Sequence, residues 1–139
     1  MTGNPFTAAD GATAADEPND DGAVPGDRPI DLDTGDELDA FLAEHDVALV
    51  EFYTKGCTLC QSVEPVLGTV ARAADVAVAT VNPRTDLSLV EAYDVRSVPT
   101  LVLFVEGAPV DRLAEGFVGV ERVLDLIRDH APDRVPEDA

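Results

Sequence analysis

The chain has 139 residues, 45% of them hydrophobic, with 28 acidic residues against 9 basic ones and a net charge of −19. That length suits one domain plus a tail, and so acidic a chain excludes nonspecific binding to nucleic acid or to an anionic membrane. Its two cysteines cannot build a disulfide framework, and no apolar run approaches the roughly 18 residues of a membrane-crossing helix.

Lysine is nearly absent: Lys55 is the only one. The acidity is spread through both ends and the middle of the chain rather than gathered at a docking patch. Abundant Asp and Glu keep a protein hydrated, and molar salt screens their mutual repulsion, so the composition implies adaptation to high salt. With no basic start, apolar signal core or twin arginine at the N-terminus, a cytoplasmic and soluble protein is expected.

Residues 1–28 are rich in Ala, Asp, Gly, Pro and Asn, with Phe6 as the one aromatic, and read as a disordered acidic tail. A compact domain follows over 29–131, and 132–139 reads as a short frayed end. Pro29 to Leu32 suggests a short edge strand. Thr34 or Asp36 can cap a helix that carries Leu38, Phe41 and Leu42 on one face. Val47 to Tyr53 has the composition of a buried strand. A helix is expected from about Cys57 to Ala74, and Pro65 should kink it. Val76 to Val81 is a second buried strand, Asp86 to Tyr93 a short helix and Thr100 to Val105 a third buried strand. Glu106-Gly107-Ala108-Pro109 reads as a hairpin turn into a strand at Val110 to Ala114. Val120, Val123, Leu124 and Ile127 form the apolar stripe of a last helix. The order β-α-β-α-β-α-β-β-α predicts an α/β fold with a parallel core and one antiparallel addition.

Cys57-Thr58-Leu59-Cys60 is the most informative stretch. It stands where a buried strand runs into a helix. The helix N-terminus would favour a thiolate on the first sulfur, and the second lies one turn later, within reach of a disulfide. Thiol–disulfide exchange is the leading reading. Two small core residues or a metal site are the alternatives. Structural zinc asks for four N/S ligands, and the only histidines, His45 and His130, have no motif spacing to the pair.

These features together resemble the thioredoxin family, over residues 30 to about 131. Val50-Glu51-Phe52 resembles the family's apolar-acid-Phe strand, and Cys57 with Cys60 its redox pair. Pro65 matches its helix-kinking proline, Ser97-Val98-Pro99-Thr100 its Val-Pro-Thr segment, Glu106-Gly107 its hairpin turn, and Gly116 a glycine near the active-site surface. The chain departs from the family in having no tryptophan, in Thr58-Leu59 between the cysteines, in Glu51 where an Asp is usual, and in Thr80 where many members keep a lysine. The composition likewise resembles that of halophilic archaeal proteins.

The resemblance implies a thioredoxin fold, a central mixed β-sheet flanked by helices on both faces. It implies a protein-disulfide oxidoreductase in which Cys57 attacks a substrate disulfide and Cys60 resolves the mixed disulfide. Glu51 would take the proton of Cys60; otherwise it is a strand acid that reaches solvent. Pro99 would be cis, the Val98 backbone would pair with an extended substrate, and Gly116 would border the substrate. The expected partners are disulfide-containing proteins and a thioredoxin-reductase-type donor, with no nucleic acid or membrane, and the expected state is a monomer. No metal and no cofactor beyond the redox-active disulfide are expected. A protein-binding module, a thiol metal carrier and a glutaredoxin-like transferase are the competing readings. Lys55, two residues before Cys57, reads as a surface lysine.

Overall fold

The computed structural model describes residues 28–136. The tail expected at 1–28, apart from Arg28, therefore lies outside the described residues. The elements are β1 (Ile30–Leu32), α1 (Gly35–Glu44), β2 (Val47–Phe52), α2 (Thr58–Ala73), β3 (Ala77–Val81), α3 (Ser88–Ala92), β4 (Thr100–Val105), β5 (Ala108–Leu113) and α4 (Val120–His130), with 3-10 turns at Pro83–Thr85 and Pro132–Arg134. The five strands form one sheet in the order β1-β3-β2-β4-β5. β1, β3 and β2 run parallel, while β4 and β5 pair antiparallel.

Each face of the sheet is covered. Val47 and Leu49 of β2, with Leu101 and Leu103 of β4, pack under α2 and α4. Ala48, Val50 and Phe52, with Val102 and Phe104, pack under α1 and the short α3. This explains why β2 reads as a continuous apolar run: as the central strand it is buried on both sides along its whole length. Thr34 is the residue that caps α1, its Oγ1 accepting from Glu37 N–H at 3.1 Å. α2 runs without interruption past Pro65.

Two ends differ from expectation. β5 begins at Ala108, not Val110, because Glu106 and Gly107 alone make the turn, with φ of 53° and 84°. Pro109 thus lies within the strand, opposite Phe104, on the sheet edge where a missing N–H is tolerated. The chain after α4 does not fray at once. Pro132–Arg134 makes one turn, Arg134 O accepts from Asp75 N–H at 2.7 Å, and Val135 is buried against the α2/α4 side.

Candidate active site

Cys57 is the N-cap of α2, and its Sγ accepts the Cys60 N–H at 3.1 Å. The Cys57 N–H in turn donates to Thr54 O at 3.4 Å, closing the loop after β2. The two cysteines are joined as a disulfide, with Cα atoms 5.2 Å apart. Cys57 is half-buried and Cys60 is buried. One sulfur thus faces outward on the positive end of a 16-residue helix, and the other is held behind it.

Glu51 lies at the carboxyl end of β2 on the α2 face. It is 1% exposed, and neither carboxylate oxygen has a hydrogen-bond partner. Burial first, and the nearby charge of Glu64 second, push its carboxyl up to about 8. The reading of Glu51 as a strand acid that reaches solvent does not fit this burial. In register across the sheet run Asp31, Thr80, Glu51 and Leu101. Thr80 does not turn its hydroxyl to Glu51 as a donor; Oγ1 donates to Asp31 at 2.8 Å, and the Tyr53 hydroxyl donates to the same oxygen at 3.0 Å.

The Val98–Pro99 peptide is cis. Thr100, the next residue, sits opposite Phe52, so this loop enters the sheet at the end of β2 from which the chain leaves for Cys57. Thr100 Oγ1 donates to Ser97 O at 2.6 Å and pins the loop. Val98 is half-buried and shares a cleft of about 360 Å3 with Thr54 and Leu87. Gly116 has φ of 85°, and a Cβ there would stand 3.7 Å from Leu59 Cδ1. The first turn of α2 thereby touches the loop after β5. The structure thus brings Cys57, Cys60, Glu51, Val98, Pro99 and Gly116 to one end of the sheet.

Several other residues take clear places. Leu59 is 48% exposed, and Phe117 beside Gly116 is 53% exposed, so apolar surface lies next to the pair. Phe117 was not apparent from sequence, where a single aromatic in a loop gives no pattern. Glu64 was also missed, although its spacing of four from Cys60 puts both on one face of α2. Lys55 is exposed. His45 ends α1 against Phe41, with rings 4.7 Å apart, and His130 pairs with Asp111 at 2.9 Å, so neither serves the cysteines. Among the described residues no group of three or more His, Cys, Asp or Glu side chains could hold a metal. No described helix is long and apolar enough to cross a membrane.

A profile of the thioredoxin family matches residues 30–128. The chain belongs to the thioredoxin family. It is 38% identical to a solved structure of a mutant thioredoxin from Halobacterium salinarum NRC-1, with a TM-score of 0.72 over 78% of this chain and 96% of that one. It is 35% identical over 94 residues to a thioredoxin of Mycobacterium tuberculosis, covering 66% of this chain and 80% of that protein. A protein disulfide isomerase-like 1-4 of rice matches at 36% over 95 residues, which is 61% of this chain but only 17% of that protein. The fold and the cysteine pair identify a CxxC thiol–disulfide oxidoreductase of this family.

Proposed function

We propose that this chain reduces the disulfides of other proteins, with Cys57 as nucleophile and Cys60 as resolving thiol. The observation that carries the reading is the pair itself: a half-buried Cys57 at a helix N-terminus, a buried Cys60 one turn on, and an unpartnered carboxyl near the end of the strand that leads to them. The Cys57 thiolate attacks one sulfur of a substrate disulfide and releases the other as a thiolate. A mixed disulfide results. Cys60 then gives its proton to the Glu51 carboxylate and attacks Cys57 Sγ. The Cys57–Cys60 disulfide forms, and the second substrate sulfur leaves as a thiolate that takes a proton from water. A substrate disulfide gains two electrons, and the dithiol loses them.

An extended substrate segment lies along the Val98 backbone, with Pro99 and Gly116 beside it, in the manner of strand addition. Exposed Leu59 and Phe117 give that segment apolar contact. A reductase of the thioredoxin-reductase type regenerates the dithiol, and the redox-active disulfide is the only cofactor invoked. The protein works as a monomer in a cytoplasm of high salt. Its acidity and the Halobacterium relative both support that setting. The exposed Leu59 and Phe117 also suit a pure docking module, and one experiment separates the two readings. Cys60→Ser should accumulate adducts to substrate proteins that dithiothreitol releases, and Cys57→Ser with Cys60→Ser should accumulate none. Equal capture by both variants would leave the docking reading and end the redox one.

A further inference from the structure

The cleft of about 360 Å3 beside Val98 carries a charge opposite to that of the chain as a whole. Arg84 and Arg96 line it, together with Thr54, Leu87 and Val98, and no Asp or Glu does. Four other surface clefts, of about 260 to 420 Å3, are each lined by at least one carboxylate. In a chain with 28 acidic and 9 basic residues, two cations in one cleft without an acid are a local reversal of charge.

The topology sets this cleft at the cysteine end of the sheet. β2 and β3 run parallel with Phe52 opposite Val81, so the chain leaves both strands at one end. After β2 it passes Thr54 on the way to Cys57. After β3 it makes the Pro83–Thr85 turn, which carries Arg84. Thr100 of β4 lies opposite Phe52, so Arg96, Ser97 and Val98 reach the sheet at that same end. A substrate segment along the Val98 backbone therefore runs past the cleft.

Both guanidinium groups have donors to spare. Arg84 is exposed, and its side chain makes no hydrogen bond or ion pair among the described residues. Arg96 donates Nε to Asp94 Oδ1 at 2.9 Å, and its two Nη atoms make no hydrogen bond among the described residues. The Arg96–Asp94 pair is exposed on both sides and is therefore weak. Leu87, Val90 and Val98 supply apolar walls. A direct Arg–carboxylate contact made against such walls is screened by salt much less than one in open solvent.

We propose that Arg84 and Arg96 form a specificity subsite that takes an acidic side chain of the substrate segment, so that the protein prefers disulfides flanked by Asp or Glu. The proposal rests on the reading of this chain as a protein-disulfide reductase with Val98 on the substrate path. The net charge of −19 repels an acidic substrate at long range. A preference for acid thus requires a local contact. Molar salt removes the repulsion and leaves the contact.

The test is the reduction of three synthetic peptides by the dithiol form of the full chain in molar KCl. Each peptide has one internal disulfide, flanked on both sides by Glu, Gln or Lys, and the three are otherwise identical. Oxidised 2-mercaptoethanol, a small neutral disulfide, is the reference. The kcat/KM for the Glu peptide should be roughly fivefold above that for the Gln peptide, with the Lys peptide lowest. Arg84→Gln with Arg96→Gln should erase that order, and Arg84→Glu with Arg96→Glu should reverse it. The reference disulfide, too small to reach the cleft, should keep its rate in every variant. Equal values for the three peptides with the parent protein would overturn the subsite, as would an order that the arginine variants leave in place. A reference rate that falls in the variants would also overturn it, because the arginines would then support the cysteine pair rather than read the substrate. Faster reduction of all three peptides by the variants would assign the cleft to the chain's own acidic residues within 1–27, and not to substrate. If the parent reduces neither the reference nor any peptide, the reductase reading itself fails and this proposal with it.

Discussion

Glu51 is a carboxyl that folding pushes toward its neutral form. Its proton is held more tightly in the folded chain than in the unfolded one, because the carboxyl lies in apolar surroundings next to Glu64. Its contribution to stability is therefore whole below about pH 4.5 and is lost as pH rises through about 8. Glu51→Gln has no such loss. Between pH 5 and pH 9 the stability of the Gln variant relative to the parent should rise by about 2–5 kcal/mol, measured by urea unfolding at each pH. A difference that does not change with pH would contradict the burial of an ionisable group here. Cys57 and Cys60 differ in access rather than in kind. After reduction, limiting iodoacetamide should modify Cys57 first, because Cys60 is only 1% exposed; peptide mapping reads the order. At this scale the sequence revealed the pair and the acid, since both lie on one strand–helix junction. It could not reveal that the charge of Glu64 reaches Glu51, because the two are 13 positions apart and lie on different elements, α2 and β2.

Among the elements, β2 and α2 do most to build the site. β2 ends at Phe52, the chain turns through Gly56 at φ of 80°, and Cys57 starts α2. A residue with a side chain at position 56 meets a backbone conformation that favours glycine. Apolar periodicity made the stripe of α4 and the buried strands legible in the sequence, because burial alone fixes those patterns. Two boundaries were not legible, each for a local reason. Ala108 and Pro109 have turn-like composition, yet a two-residue turn leaves them on an edge strand. Pro132 and Asp133 look like a helix stop, but they lead Val135 back onto the core. Removing residues 132–139 should cost about 2 kcal/mol, the burial of one valine side chain with the Arg134–Asp75 backbone bond. Thermal unfolding of the truncated chain checks this, and an unchanged midpoint would show that the turn only rests on the surface.

For the whole molecule the dominant fact is a charge of −19. The ion pairs among the described residues are few and mostly exposed, as in Arg122–Glu115 and Arg96–Asp94, so they offset little of the repulsion. Raising KCl from 0.1 M to 3 M should lift the thermal midpoint by roughly 5–15 °C. A midpoint indifferent to salt would contradict the high-salt setting. The fold class was legible at this scale because the alternation of strands and helices admits few arrangements and the cysteine pair falls at a strand end. The redox role is the claim on which the other functional statements depend. It is tested most directly by the reduction potential of the Cys57–Cys60 couple in molar KCl, from equilibration with defined thiol buffers and counting of alkylated cysteines. A reversible two-electron couple near or below about −270 mV is the expected result. A couple between about −180 and −120 mV would make the protein an oxidase or isomerase, and the absence of any reversible couple would contradict the redox reading altogether.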